Sequence, residues 1–306
     1  MKRIIVAGHA ALDHVWRIES YPPRPTKIRA LEHIEGGGGM AANAAAAIGR
    51  LGGTVELWSR TGEDEAGTKI RDFLKADGVG TEYVKAFAGV PSSCSAVLVD
   101  AKGERLAVGA RDLGFPMEAG WLPLDRIAGA GAVLSDYRWI EATRAAFTKA
   151  RALGVPTLAD ADFENGPLLR ELLALTDYAI FPAGSLAAFA PDIADEERLK
   201  RVLEAGPRYA GVTRGSKGYL WANRDGKSGE VPAFEIEAVD TTGAGDAFHG
   251  AFTWALVQGF DEAACARLAS ATAALKCRKF GARGGLPTLS EVEKFLSSGA
   301  SQRTLG

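Results

Sequence analysis

Histidine and cysteine are scarce in this 306-residue chain, which carries 4 of the first and 3 of the second. Cys94, Cys265 and Cys277 show no metal-ligand spacing, so no zinc site is expected and the thiols read as buried and free. Neither sign of charge dominates: 36 Lys and Arg face 38 Asp and Glu, for a formal net charge of -2 and a pI near 6.2. Nucleic-acid binders concentrate positive charge, so no nucleic-acid partner is expected. Long hydrophobic runs are missing too. No stretch approaches the ~18 uncharged apolar residues that cross a bilayer, and the N-terminal run from Ile4 reaches Asp13 too soon for a signal peptide. These absences point to an enzyme in a reducing, cytoplasmic setting with no membrane partner.

Glycine, by contrast, is plentiful and collects in front of helix-like segments. Residues 239–252 read Val-Asp-Thr-Thr-Gly-Ala-Gly-Asp-Ala-Phe-His-Gly-Ala-Phe. Gly243, Ala244 and Gly245 can turn tightly and aim backbone N–H groups at one point, Asp246 follows directly, and 247–256 reads as a helix. A glycine turn at a helix N-terminus suits an anion. A carboxylate beside a bound phosphate suits one task, taking the proton from an attacking hydroxyl while the amides hold charge on the transferring phosphoryl oxygens. On pattern alone, a structural turn with a capping Asp accounts for the stretch equally well.

Two further glycine clusters flank strands and helices. Gly36 to Gly39 precede Asn43 and an alanine-rich helix at 44–51; the glycines let backbone approach a ligand closely and Asn43 offers both donor and acceptor to hydroxyls, although a slack linker has the same composition. Thr213-Arg-Gly-Ser-Lys-Gly218 forms a turn between two strands and lacks the arrangement of a P-loop. Around these, strands at 4–7, 132–135, 156–160, 178–181 and 209–213 alternate with helices at 141–152, 168–175 and 196–205, the rhythm of a parallel sheet covered on both faces. Alternating segments at 27–34 and 92–108 fit a small separate sheet, or edge strands of the main one. Helices at 262–274 and 290–296 end the chain, with a polar tail from Ser297 expected to lack order.

Segment 240–246, Asp-Thr-Thr-Gly-Ala-Gly-Asp, and the Gly38-Gly39…Asn43 segment resemble the two signatures of the ribokinase-like PfkB carbohydrate kinases. The resemblance implies a three-layer α/β/α ribokinase-like fold with a mostly parallel central sheet. It also implies one kinase domain over 1–306 with a small β-sheet lid formed by about 15–35 and 92–110. It makes Asp246 the catalytic base and the Gly243, Ala244 and Gly245 amides the anion hole, with Asp13, Gly38, Gly39 and Asn43 on the sugar. Thr213, Gly215, Lys217 and Gly218 would lie along ATP, which brings Mg2+. Asp240 and Thr242 would join carbonyls of the late loop around a monovalent cation such as K+, and the lid sheet would pair two copies as a homodimer. Lys276, Arg278, Lys279 and Arg283 are expected beside the nucleotide.

Within that family the chain is most similar to the 6-deoxy-6-sulfofructose kinases, on Lys27, Lys102-Gly103-Glu104-Arg105, Asp136-Tyr137-Arg138-Trp139, the 274–277 segment and Gly284 to Pro287. This implies that Lys27 and Arg138 clamp a sulfonate. Two places depart from the pattern. Gly109 stands where related enzymes carry an Asn, which leaves either Arg111 two residues on as a substitute anion donor or a pocket for a different ketose or a phosphorylated sugar, and Pro182-Ala183-Gly184-Ser185 stands where Asn-x-x-Glu is expected. Magnesium is then left to the ATP phosphates and waters, helped by Asp160 or Asp162. The expectation is an ATP-dependent kinase acting on a primary hydroxyl, 6-deoxy-6-sulfofructose to its 1-phosphate. The alternatives are another ketose or a fructose- or ribose-like sugar, a nucleoside, or a non-catalytic sugar-binding protein on the kinase fold.

Overall fold

Strand β1 (Ile4–Ala7) divides the core: Ile4 and Val6 pack on one side, Ile5 and Ala7 on the other, and all four are fully buried. A strand buried on both faces is what a parallel sheet between two helical layers requires. The computed structural model, which describes residues 2–111, 114–163 and 166–299, sets β1 inside a ten-stranded sheet. On one side β1 pairs in parallel with β4 (Val55–Gly62), which itself pairs with β5 (Val79–Gly80) and β6 (Val84–Phe87). On the other side follow β9 (Ala132–Ser135), β10 (Thr157–Asp160), β11 (Tyr178–Pro182) and β12 (Tyr209–Thr213), all parallel. Antiparallel β13 (Tyr219–Asn223) and β14 (Ser228–Val231) end the sheet.

Helices α1 (Met40–Arg50), α2 (Glu65–Ala76), α7 (Ala244–Val257), α8 (Glu262–Lys276) and α9 (Leu289–Ser297) cover one face. The other face is covered by α3 (Ile140–Ala152), α4 (Gly166–Leu173), α5 (Ala183–Phe189) and α6 (Asp195–Glu204). This is the expected three-layer α/β/α architecture. No helix among the described residues is long and apolar enough to cross a membrane.

A second sheet of four strands lies over the carboxyl ends of the first, in the order β3 (Glu32–Gly38), β2 (Ala11–Arg17), β7 (Cys94–Val99), β8 (Arg105–Ala110). The tight turn expected at 100–103 is present: the Asp100 carboxylate accepts from the N–H groups of Lys102 and Glu104. One strand is displaced from its expected place. It begins at Glu32 instead of 27 and runs through Gly36, Gly37 and Gly38, pairing Arg17 with Glu32 and Ala11 with Gly38. Pro22, Pro23 and Pro25 lack an N–H for a ladder, so residues 18–30 stay outside it and Lys27 lies exposed in irregular chain. Asp13 lies inside strand β2. Helix α7 starts at Ala244, ahead of the expected 247, so Gly245 and Asp246 belong to its first turn. Helix α5 and strands β5, β6 and β14 were not anticipated. The expected polar tail lies, from residue 300 on, outside the described residues.

Candidate active site

Gly243 holds the left-handed conformation (φ 74°) that lets the chain turn into α7. By helix geometry the first-turn N–H groups have no intrahelical acceptor; Ala244 donates to the Thr241 carbonyl at 3.2 Å, which leaves the Gly245 and Asp246 amides aimed out of the helix end. Helix α1 packs closely on α7 because small residues meet: a Cβ on Gly250 would overlap the Ala44 carbonyl. That approach lets Asn43 Nδ2 donate to Asp246 Oδ2 at 2.8 Å.

The Asn43 amide is itself oriented. Arg283 Nε donates to Asn43 Oδ1 at 2.8 Å, Arg283 Nη2 donates to the Gly38 carbonyl at 3.2 Å, and Nη1 lies 3.5 Å from the Asp77 carboxylate. Withdrawal from bulk water pushes the Asp246 carboxyl up to about 6; the Asn43 hydrogen bond and the Arg105 charge act the other way, and the Asp136 and Asp13 charges add to the rise. A carboxylate so tuned is poised to accept a proton near neutral pH.

Two cavities meet at this point, since Thr213 and Gly245 line both. The larger, about 530 Å³, opens between the lid sheet and α7 and is lined by Asp13, Gly39, Asn43, Arg105, Arg111 and Asp246 among others. Asp13 is 7 % exposed, accepts from Ser95 Oγ at 2.6 Å, and is raised above the usual carboxylate range by burial. Its carboxylate rests on the Cα of Gly38, where any Cβ would overlap it, so Gly38 makes room for Asp13 and does not itself line the cavity. Lys27 and Arg138 do not line it either. Arg138 Nη2 is paired with Asp162 at 2.8 Å and its Nε lies 3.4 Å from Met40 Sδ. The cations that do line this cavity are Arg105, which donates to the Thr241 carbonyl at 2.8 Å, and Arg111.

The smaller cavity, about 290 Å³, is bounded by Thr213, Gly215, Ser216 and Gly218 at one end and by Phe234, Ile236 and Phe248 along its wall. Lys217 does not line it and is exposed on the turn. An apolar slot of this kind suits a flat heterocycle, with the glycine turn beside its polar end. Its wall was not anticipated, although Phe234, Ile236 and Ala238 alternate with Glu235 and Glu237 in the sequence and carried that signal.

Two of the late basic residues are deployed differently from expectation. Arg283 supports Asn43 beside the larger cavity, and Lys276 is wholly buried with its ammonium 2.8 Å from the Asp240 carbonyl. Asp240, expected at a monovalent cation together with Thr242, has its acceptors taken: Oδ1 receives the Thr242 N–H and Oδ2 the Gly281 N–H, each at 2.8 Å. The Thr242 hydroxyl is buried without a protein partner at the edge of the larger cavity. This donor set, with a buried ammonium already on it, does not fit an added metal cation.

The model of the pfkB family carbohydrate kinases matches residues 1–289. The chain belongs to that family. As a PfkB kinase it is an ATP-dependent carbohydrate kinase. Ribokinase of Bacillus subtilis is 32 % identical over 301 residues, covering 97 % of this chain and all of the relative. Among solved structures, a candidate ribokinase from Agrobacterium tumefaciens is 33 % identical with a TM-score of 0.92, covering 97 % of this chain and 98 % of the other. Arabidopsis thaliana ribokinase, solved with ribose and ATP, is 27 % identical with a TM-score of 0.82, covering 96 % and 98 %.

Proposed function

We propose that this PfkB kinase transfers the γ-phosphoryl group of ATP to a primary hydroxyl of a small sugar of the ribose or fructose type. The observation that carries the reading is the Asn43–Asp246 contact at the junction of two cavities, directly beneath free amides of α7. In this reading Asp13 and Asn43 hold sugar hydroxyls in the larger cavity, and the adenine enters the slot beside Phe234 with its phosphates along Gly215 and Gly218. The sugar oxygen attacks phosphorus as its proton passes to Asp246, the bond to the bridging oxygen breaks, and ADP leaves. The Gly245 and Asp246 amides stabilise charge on the transferring oxygens. The relatives named as ribokinases support the sugar class.

Magnesium, when bound, neutralises phosphate charge. It fits this chain as a passenger of ATP: among the described residues no group of three or more His, Cys, Asp or Glu could hold a metal by itself. Asp160 and Asp162, both on the cavity wall, are the residues that would meet its waters. Burial and the Asp246 charge push Asp160 well above the usual carboxylate range, and Asp162 is held by Ser185 Oγ at 2.6 Å and by Arg138 Nη2 at 2.8 Å.

A sulfosugar remains the second reading, favoured by the Arg105 and Arg111 guanidinium groups on the sugar-side wall. Exposed Leu106 and Val108 on strand β8 support the lid as a homodimer face. The deciding experiment measures ADP release over ribose, fructose, 6-deoxy-6-sulfofructose and nucleosides. Highest kcat/KM on an uncharged pentose or ketose supports the first reading, preference for the sulfosugar supports the second, and ligand binding without ADP release on any of them overturns the kinase assignment.

A further inference from the structure

Lys276 and Asp240 both have no exposed surface, and they meet where α8 ends beneath the anion-binding turn. A lysine buried so completely needs a compensating charge. The Asp240 carboxylate supplies attraction, against burial, which by itself pulls the ammonium below its ordinary pKa. The contact sits at a junction of three segments. The Cys277 carbonyl, next in the chain, accepts the N–H groups of Val239 at 2.8 Å and Asp240 at 3.2 Å. Gly281 is tied to Asp240 through its N–H, the Lys276 carbonyl lies against the Cα of Gly285, and Gly243 of the turn packs on Ala282. A positive charge at this point neutralises a buried carboxylate that would otherwise stand close behind an anion hole and weaken it.

We propose that the Lys276 ammonium does, while attached to the chain, what a monovalent metal ion would do at Asp240, so that phosphoryl transfer by this protein needs neither K+ nor Na+. An ammonium and a potassium ion are close in size and charge, and the Asp240 carbonyl already accepts from the Lys276 ammonium at 2.8 Å. Lys276 touches neither cavity's reacting groups; it is a positioning residue, acting through the 239–243 segment and the loop from Gly281 to Gly285. The inference rests on the family's kinase activity and is indifferent to which sugar is taken.

The test compares initial rates and melting temperature in potassium chloride, sodium chloride and tetramethylammonium chloride at equal ionic strength, the last cation being too large to enter. The wild-type protein should be indifferent in both readouts. Lys276→Ala should lose activity in tetramethylammonium and recover on the order of tenfold with K+ or NH4+, the usual size of coupling between two sites. Its melting temperature should rise with K+ by roughly 2 °C or more, as expected when a ligand binds only the folded state. Lys276→Met, which fills the same space without charge, serves if the alanine variant does not fold, and should lose activity without cation rescue. A wild-type protein that is activated or stabilised by K+ would overturn the proposal. So would a Lys276→Ala enzyme of undiminished activity in all three salts.

Discussion

At the larger cavity, which we read as the sugar side, Asp13, Asn43 and Arg283 are almost out of solvent, and each is held by a side-chain hydrogen bond. At the smaller cavity, which we read as the nucleotide side, Gly215, Ser216 and Lys217 are exposed, and the wall is made by Phe234, Ile236 and Phe248. The first region recognises through fixed, directional, costly-to-bury groups, the second through shape and apolar contact. A buried polar network discriminates sharply because a ligand lacking the matching hydroxyl leaves partners unpaired. An apolar slot with a glycine turn discriminates weakly and tolerates exchange of its lining.

If that contrast is right, disruption should separate the two sides kinetically. The largest effect belongs to their junction: Asp246→Asn should lower kcat by roughly 10³-fold, the scale of a lost general base, with both KM values little changed. Because the base must be ionised to accept a proton, wild-type kcat/KM should fall as pH drops through about 6, and a profile flat to well below that value would remove Asp246 from the role. Next is Arg283→Met, which frees Asn43 and strands Asp77. We expect a loss of roughly 10²-fold in kcat, the penalty for misplacing a reacting group by about 1 Å, and a lower Tm as the partly buried Asp77 loses its partner. Calorimetry and steady-state kinetics would check both, and an equal rise in the KM for ATP would break the comparison.

Smaller is Gly218→Ala. Gly218 has φ 88° and its Cα faces the Val231 carbonyl, so a side chain strains the turn. The KM for ATP should rise on the order of tenfold, as one to three kcal/mol of backbone strain predicts, while the KM for sugar stays put. The smallest is Lys27→Ala, expected to change kcat/KM on any sugar by less than about twofold, as for an exposed charge. A large loss confined to 6-deoxy-6-sulfofructose would show that the lid brings Lys27 into the cleft.

Sequence reading went furthest where chemistry and local geometry coincide. Gly243, Gly245 and Asp246 stand together in the chain and in space, and the buried strands announce themselves by continuous apolar character. Asn43 and Asp246 could be named separately, yet their contact depends on helix packing across 203 positions and has no local trace. Arg283 and Lys276 were visible as charges, but whether a cation faces a nucleotide or supports a neighbour is decided by burial, which a loop sequence does not encode. The lid register was misplaced because alternation at 27–34 looks the same whether or not a partner strand reaches it; the paired length of β2, ending at Arg17, set the limit. The slot beside Phe234 was overlooked since it is built from a segment outside any strand of the sheet.

The seam where Gly250 meets Ala44 lies below every surface that a ligand touches, yet it determines the gap that Asn43 spans to reach Asp246. Any larger side chain there would widen that gap and appear as lost rate with binding intact. Lid and slot are free of this constraint. Lid and slot residues can therefore change without moving the Asn43–Asp246 contact, which depends on two residues too small to be noticed for their own contacts.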